Sequence, residues 1–182
     1  MKKIILTIVI VAISASLYAQ GTDAEPDMKS YNPGHNPNTE FFELDPELRP
    51  WFKWGITAIV PPLTLAFGIK AWDWGSSHEP RMLDEGWLGQ DTSFGGADKV
   101  GHLYAHYVVQ RFLFTAYDHC DTYKNEALIY STTMTCVVGL MIECGDTFTS
   151  QYGFSINDIV FDYAGVAMGA LLDAYPVADA FM

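Results

Sequence analysis

The sequence predicts an all-α protein: a bundle of about four apolar helices behind an export leader and a flexible polar tether. Three observations carry this expectation. Long apolar stretches alternate with short segments rich in Gly, Pro, Asn and Asp. No run alternates apolar and polar residues for long enough to make a strand. The polar residues that interrupt the apolar stretches recur every three or four positions, which is helical spacing.

The 182 residues are enough for one domain with a sizeable core. The chain opens on Lys2-Lys3, an apolar run from Ile4 to Ile13 and small residues ending at Ala19. That order is a signal peptide over residues 1–19, although Leu17 stands where a small residue is usual, and an uncleaved anchor is the alternative. No cysteine follows the leader, so lipid attachment there is not expected. Without Lys2 and Lys3 the chain keeps 8 basic against 22 acidic residues, a net charge near −14. Such a polyanion excludes nucleic acid and disfavours an anionic lipid surface as partner.

Residues 20–50 hold Pro26, Pro33, Pro37, Pro46 and Pro50 among polar residues, a tether with little to bury. The helical domain is expected over 51–182. Its first helix covers Gly55 to Ile69, with Trp51 and Trp54 before it and Trp72 and Trp74 after it. From Trp54 to Trp72 a helix rises about 27 Å, near a bilayer's hydrocarbon thickness, and tryptophan favours both interfaces. A buried globular helix meets the same pattern, and Pro61-Pro62 should kink either one. A loop follows over 75–97. Further helices are expected from Asp98 to Tyr117, from Lys124 to Glu143, and from Ser155 to about Tyr175, where Pro176 ends the last. Cys120, Cys136 and Cys144 are an odd set without metal-type spacing, and no disulfide scaffold is expected.

Each later helix carries a polar stripe. Asp98, His102 and His106 share one sector of the second helix, with Tyr104, Tyr107, Gln110 and Arg111 opposite. Thr132, Cys136, Gly139 and Glu143 line the third; Asp158, Asp162, Gly165 and Gly169 line the fourth. Asp98 has a local explanation as a helix N-cap, and Ser155-Ile156-Asn157-Asp158 is close to a capping box. Asp162 has none, and a carboxylate in so apolar a stretch wants a cation, a histidine or a metal. Convergence of the stripes would allow two chemistries. His102, His106, Glu143 and Asp162 could hold a divalent metal. Alternatively, Asp98 could orient His102 as a general base, with Lys99 binding an anionic group and Glu143 as a second acid.

Gly86-Trp87-Leu88-Gly89, Gly95-Gly96-Ala97-Asp98-Lys99-Val100-Gly101-His102, Glu143 and Tyr152-Gly153-Phe154-Ser155-Ile156-Asn157-Asp158 resemble the YfiM-like family of predicted periplasmic lipoproteins, a bacterial envelope family. More distantly, the Asp-Lys-x-x-His opening, a later glutamate and a Ser-x-x-Asp helix start are similar to VanZ-like membrane proteins. The resemblance spans about residues 50–173. It implies an envelope location and a helical fold, and marks Asp98, Lys99, His102, Glu143, Ser155 and Asp158 as the polar set. His106 and Asp162 lie outside the matched positions.

The expected protein is therefore an exported, periplasmic, membrane-associated helical bundle with a buried His/carboxylate cluster. Its role would be interaction or envelope maintenance, with an envelope lipid or a membrane protein as partner. The alternatives are a hydrolase or transferase on a lipid-linked or cell-wall substrate, with His102 central, or a divalent-metal-binding protein.

Overall fold

The computed structural model describes residues 44–45, 47–84, 86–88, 96–120 and 124–175. The expected signal peptide, all but a few residues of the expected tether, Gly95 and Pro176 lie outside these residues. The four expected helices are α1 (Arg49–Ala71), α2 (Ala97–Asp118), α3 (Lys124–Asp146) and α4 (Ile156–Ala174). The described residues contain no strand, only a parallel bridge between Met82 and Phe154. The fold is an all-α bundle.

The helix ends follow local chemistry, with some departures from expectation. α1 starts inside the segment read as tether, because Pro50 falls at the first helical positions, where its missing N–H costs nothing. It then runs unbroken through Pro61 and Pro62. α2 is capped by Gly96 with φ of 82°, a left-handed conformation that suits glycine, so Asp98 is not the N-cap. α3 continues to Asp146, one turn past its expected end. Ser155 caps α4 as expected, its Oγ accepting from the Asp158 N–H at 3.2 Å.

Side-chain pairs fix the topology. Lys53 pairs with Glu126, and Trp74, just past α1, packs against Gly68 and Gly145, so α1 and α3 run parallel. Lys99 pairs with Asp158 and Arg111 with Asp173, so α2 and α4 also run parallel. Gln110 reaches Ser131, while His106 lies against Gly139, so α2 and α3 are antiparallel. An up-down-up-down bundle results.

Glycine sets the tightest crossing. A Cβ at Gly165 would overlap the Leu103 carbonyl oxygen and stand 3.0 Å from the Tyr107 nitrogen, so α4 touches α2 backbone to backbone. One end of the bundle is apolar: Leu113, Tyr117, Ala127 and Met134 form a core flanked by Ile56, Val60, Phe114 and Tyr130. At the other end Trp74 Nε1 donates to Asp146 Oδ1 at 2.7 Å, and a Cβ at either Gly68 or Gly145 would overlap the indole.

The interior is unusually polar and the surface unusually apolar. Twelve polar or charged residues are buried against ten hydrophobic ones, while 22 large hydrophobic residues are exposed among the described residues. In α1 only Gly68 is buried, and Trp51 is 77% exposed. Val100, Tyr104, Val108 and Phe112 make an exposed stripe on α2. By length and composition, α1 and α3 are apolar enough to cross a membrane.

Candidate functional site

The site lies where the first turns of α2 and α4 meet the last turns of α3. α2 and α4 start side by side and run the same way, so residues one turn apart on each can form successive rungs. On the first rung, Lys99 is 1% exposed, with Nζ 2.5 Å from Asp158 Oδ1 and 3.1 Å from Asp98 Oδ2. The next rung is Asp162, 0% exposed, whose Oδ1 lies 2.8 Å from Nδ1 of both His102 and His106. The two imidazoles stack nearly parallel, at an interplanar angle of 8°. His106 Nδ1 also lies 3.0 Å from the His102 carbonyl oxygen. Both neighbours of that nitrogen are acceptors, so it carries the proton, and in the neutral ring Nε2 keeps its lone pair.

Asp162 is what charges His102. Burial works against the imidazolium, but the hydrogen bond and charge of Asp162, with Asp158 and Asp98 adding, outweigh it and raise His102 to about 9. Burial would likewise raise Asp162, yet the hydrogen bonds from His102 and His106 and their electrostatic attraction win and hold its carboxyl below the ordinary range. Glu143 is buried too. Its Oε2 accepts from the Ser155 N–H at 2.9 Å, so an acid from α3 replaces the returning acid of a capping box at the start of α4. Burial pushes it up to about 8, with the charges of Asp158 and Asp162 adding against that hydrogen bond. Burial and the Asp162 charge push the Cys136 thiol to about 11, so it is no nucleophile at neutral pH.

The sequence-derived residues are thus gathered, but several partnerships differ. Asp98 does not orient His102; its Oδ1 is 3.9 Å from Nε2, while Asp162 holds Nδ1. Lys99 does not present an ammonium to a ligand, being enclosed by two carboxylates. Glu143 is held by Ser155 and is not among the groups whose ligand atoms lie within 4.8 Å of one another, which are His102–His106–Asp162 and Asp98–His102–Asp158. Gln110, expected on the outer face of α2, is fully buried against Ser131 and Gly169, because α2 is covered on two sides, by α3 and by α4.

Sequence reasoning missed the braces around the site. Asn157 Nδ2 donates to the Gly86 carbonyl at 2.6 Å. Phe154 exchanges backbone hydrogen bonds with Arg81 and Leu83 at 2.9 Å, and the Arg81 guanidinium reaches the Ser150 carbonyl. These contacts fasten the loop before α2 to the start of α4. Hydrogen bonds between residues about seventy positions apart leave no local signal in the sequence.

No curated protein and no solved structure matches the chain. The family model for a predicted periplasmic lipoprotein (DUF2279) matches residues 84–174, taking in α2, α3, α4 and the whole polar cluster. The chain belongs to that family, a family of the periplasmic side of the cell envelope.

Proposed function

We propose that this protein is a membrane-associated envelope protein, with the apolar faces of α1 and α2 turned to lipid and the polar cluster locking the bundle inside. Its role is interaction or maintenance in the envelope. The distribution of polarity carries this reading: charged pairs fill the centre while Trp51, Ile59, Leu63, Phe67 and Phe112 point outward. In water, so many exposed apolar side chains on neighbouring turns mark an interaction or membrane surface. Against acyl chains it has nothing to hide, and polar residues belong inside. The similarity of the Asp-Lys-x-x-His opening to VanZ-like membrane proteins points the same way. In a density gradient the full chain should float with envelope lipid, and about 1 M salt should not release it, because apolar contact is not screened. The triple variant Ile59→Asp, Leu63→Asp, Phe67→Asp should lose the lipid while keeping its helicity. Recovery of the wild-type chain in the soluble fraction would overturn the proposal.

One observation favours a second reading, a hydrolase or transferase on a lipid-linked or cell-wall substrate. A buried carboxylate holds Nδ1 of His102, and that side chain is 22% exposed, leaving Nε2 on the open side beside Asp98. Such a dyad can transfer a proton to a substrate atom. His102→Gln separates the two readings. Loss of folded protein supports the lock, whereas intact helicity and thermal midpoint with a lost envelope phenotype supports proton transfer.

A further inference from the structure

Among the described residues, two atoms of the cluster are left without partners. Asp162 Oδ2 and His106 Nε2 are both buried and make no hydrogen bond. A buried polar atom left unmatched is a standing cost to the fold. Both aim at the same place. A Cβ at Gly139 would stand 2.9 Å from His106 Nε2 and 3.2 Å from Asp162 Oδ2, so a side chain is missing from α3 where the two converge.

The donors suit a particular class of ion. The proton on His106 Nδ1, fixed by Asp162 and the His102 carbonyl, leaves Nε2 as a lone pair, the arrangement in which an outer hydrogen bond orients a metal-binding imidazole. His102, His106 and Asp162 each offer a ligand atom, all within 4.8 Å of one another, and His102 gives up its proton as the ion takes its place. Bonds of about 2.0–2.2 Å in a tetrahedron put ligand atoms about 3.4 Å apart, so modest side-chain closure forms a site. Two imidazoles and one carboxylate match zinc and its first-row neighbours; magnesium and calcium prefer all-oxygen shells. The neighbouring Asp98–His102–Asp158 group is unsuited, because the Lys99 ammonium lies within it.

We propose that His102, His106 and Asp162 form a binding site for one divalent transition-metal ion, zinc fitting best, with Gly139 leaving the room it needs. The site does not depend on the lipid contact proposed above, and each can fail alone.

The test uses the full chain in mild detergent, stripped with chelator and then titrated with cobalt(II) and zinc(II). Cobalt should give the intense visible absorption of a four-coordinate site, saturating near one ion per chain, and zinc should quench it. His106→Gln and Gly139→Ala should weaken binding at least tenfold, with circular dichroism confirming their helicity. His78→Gln, on the exposed loop, should leave it unchanged. A folded wild-type chain without that absorption, or a His106→Gln chain that binds as wild type does, overturns the proposal. If both site variants fail to fold, the wild-type titration decides alone.

Discussion

Replacing Gly165 by alanine tests whether α2 and α4 touch as closely as their glycine stripe requires. The added Cβ would overlap the Leu103 carbonyl oxygen and stand 2.9 Å from the carbonyl carbon and 3.0 Å from the Tyr107 nitrogen. All three atoms are backbone, so no rotamer change makes room; the helices must part by about 1 Å. A gap of that size forfeits up to half of each dispersion contact along the seam. Overpacking of this kind costs about 1–3 kcal/mol. Parting the helices also lengthens the His102–Asp162 bond one turn away, now 2.8 Å, and a hydrogen bond to a charged group contributes about 1.5–3 kcal/mol. Alanine returns up to about 1 kcal/mol of helix propensity. The net expectation is a loss of about 3 kcal/mol, or 6–12 °C in thermal midpoint. Thermal unfolding in detergent, followed by circular dichroism, reads it. Two other glycines calibrate the result. Gly101 in α2 has nothing within 4 Å of its Cβ position, so Gly101→Ala should stabilise by about 0.5–1 kcal/mol. At Gly169 the nearest obstacle is the amide end of Gln110, a side chain, with the Tyr107 carbonyl oxygen behind it at 3.3 Å, so Gly169→Ala should cost less than Gly165→Ala. If Gly165→Ala is as stable as Gly101→Ala, the close crossing is wrong.

Glu143 predicts a pH dependence. Its folded pKa is about 8 against an ordinary 4.5, so the folded state keeps a proton that the unfolded chain has lost. This contribution is whole below pH 4.5 and is lost as pH rises to 8, on the order of 3–5 kcal/mol in all. Glu143→Gln, which can still accept from Ser155, should flatten denaturation midpoints across that window; an unchanged slope would refute the assignment. Lys99→Met strands the buried Asp158 carboxylate and should cost about 3–5 kcal/mol, much of it recovered by adding Asp158→Asn. A double-mutant cycle by chemical denaturation measures that recovery. Trp74→Phe loses the 2.7 Å bond to Asp146 and part of the six-membered ring held between Gly68 and Gly145, so a loss of at least about 1 kcal/mol is expected in the same assay.

The residues legible from sequence alone are those whose signal is local. Ser155 and Asp158 announced a helix start because an N-cap is a four-residue event. Asp162 stood out because it interrupts a long uncharged stretch. Partner choice was less legible. The sequence offers His102 a partner in Asp98, its neighbour one turn away, whereas the hydrogen bond goes to Asp162, sixty positions on. Nothing in the spacing of α2 weighs a near carboxylate at its exposed rim against a distant one at its centre. Asp98 is 39% exposed and Asp162 is sealed, and burial decides which of them an imidazole must neutralise. Gln110 shows the same gap. A wheel drawn for one helix assumes one buried face, and α2, placed between α3 and α4, has two.

The polar cluster also explains how so polar an interior can specify one bundle. Along the α2–α4 seam, Lys99 meets Asp158, His102 and His106 meet Asp162, Leu103 and Tyr107 receive Gly165, Gln110 receives Gly169, and Arg111 meets Asp173. Two charged rungs, two glycine contacts and a final ion pair follow one another, so each step on one helix has its matching place on the other. A slip of one turn would set Asp158 against His102 and leave Lys99 without its buried carboxylate. It would also bring a side chain onto Leu103, where only glycine fits. Aliphatic side chains would tolerate such a slip far better, because they are nearly interchangeable along a seam. In the lipid seat proposed here, apolar burial contributes little to holding helices together, since acyl chains solvate leucine as well as another helix does. Register and association then both fall to the polar rungs and the small residues between them. On this argument, variants that neutralise whole rungs, such as Lys99→Met with Asp158→Asn, should keep most of the bundle's stability while loosening its register. Paired cysteines placed across α2 and α4 one turn out of step should crosslink in that variant and not in the wild-type chain.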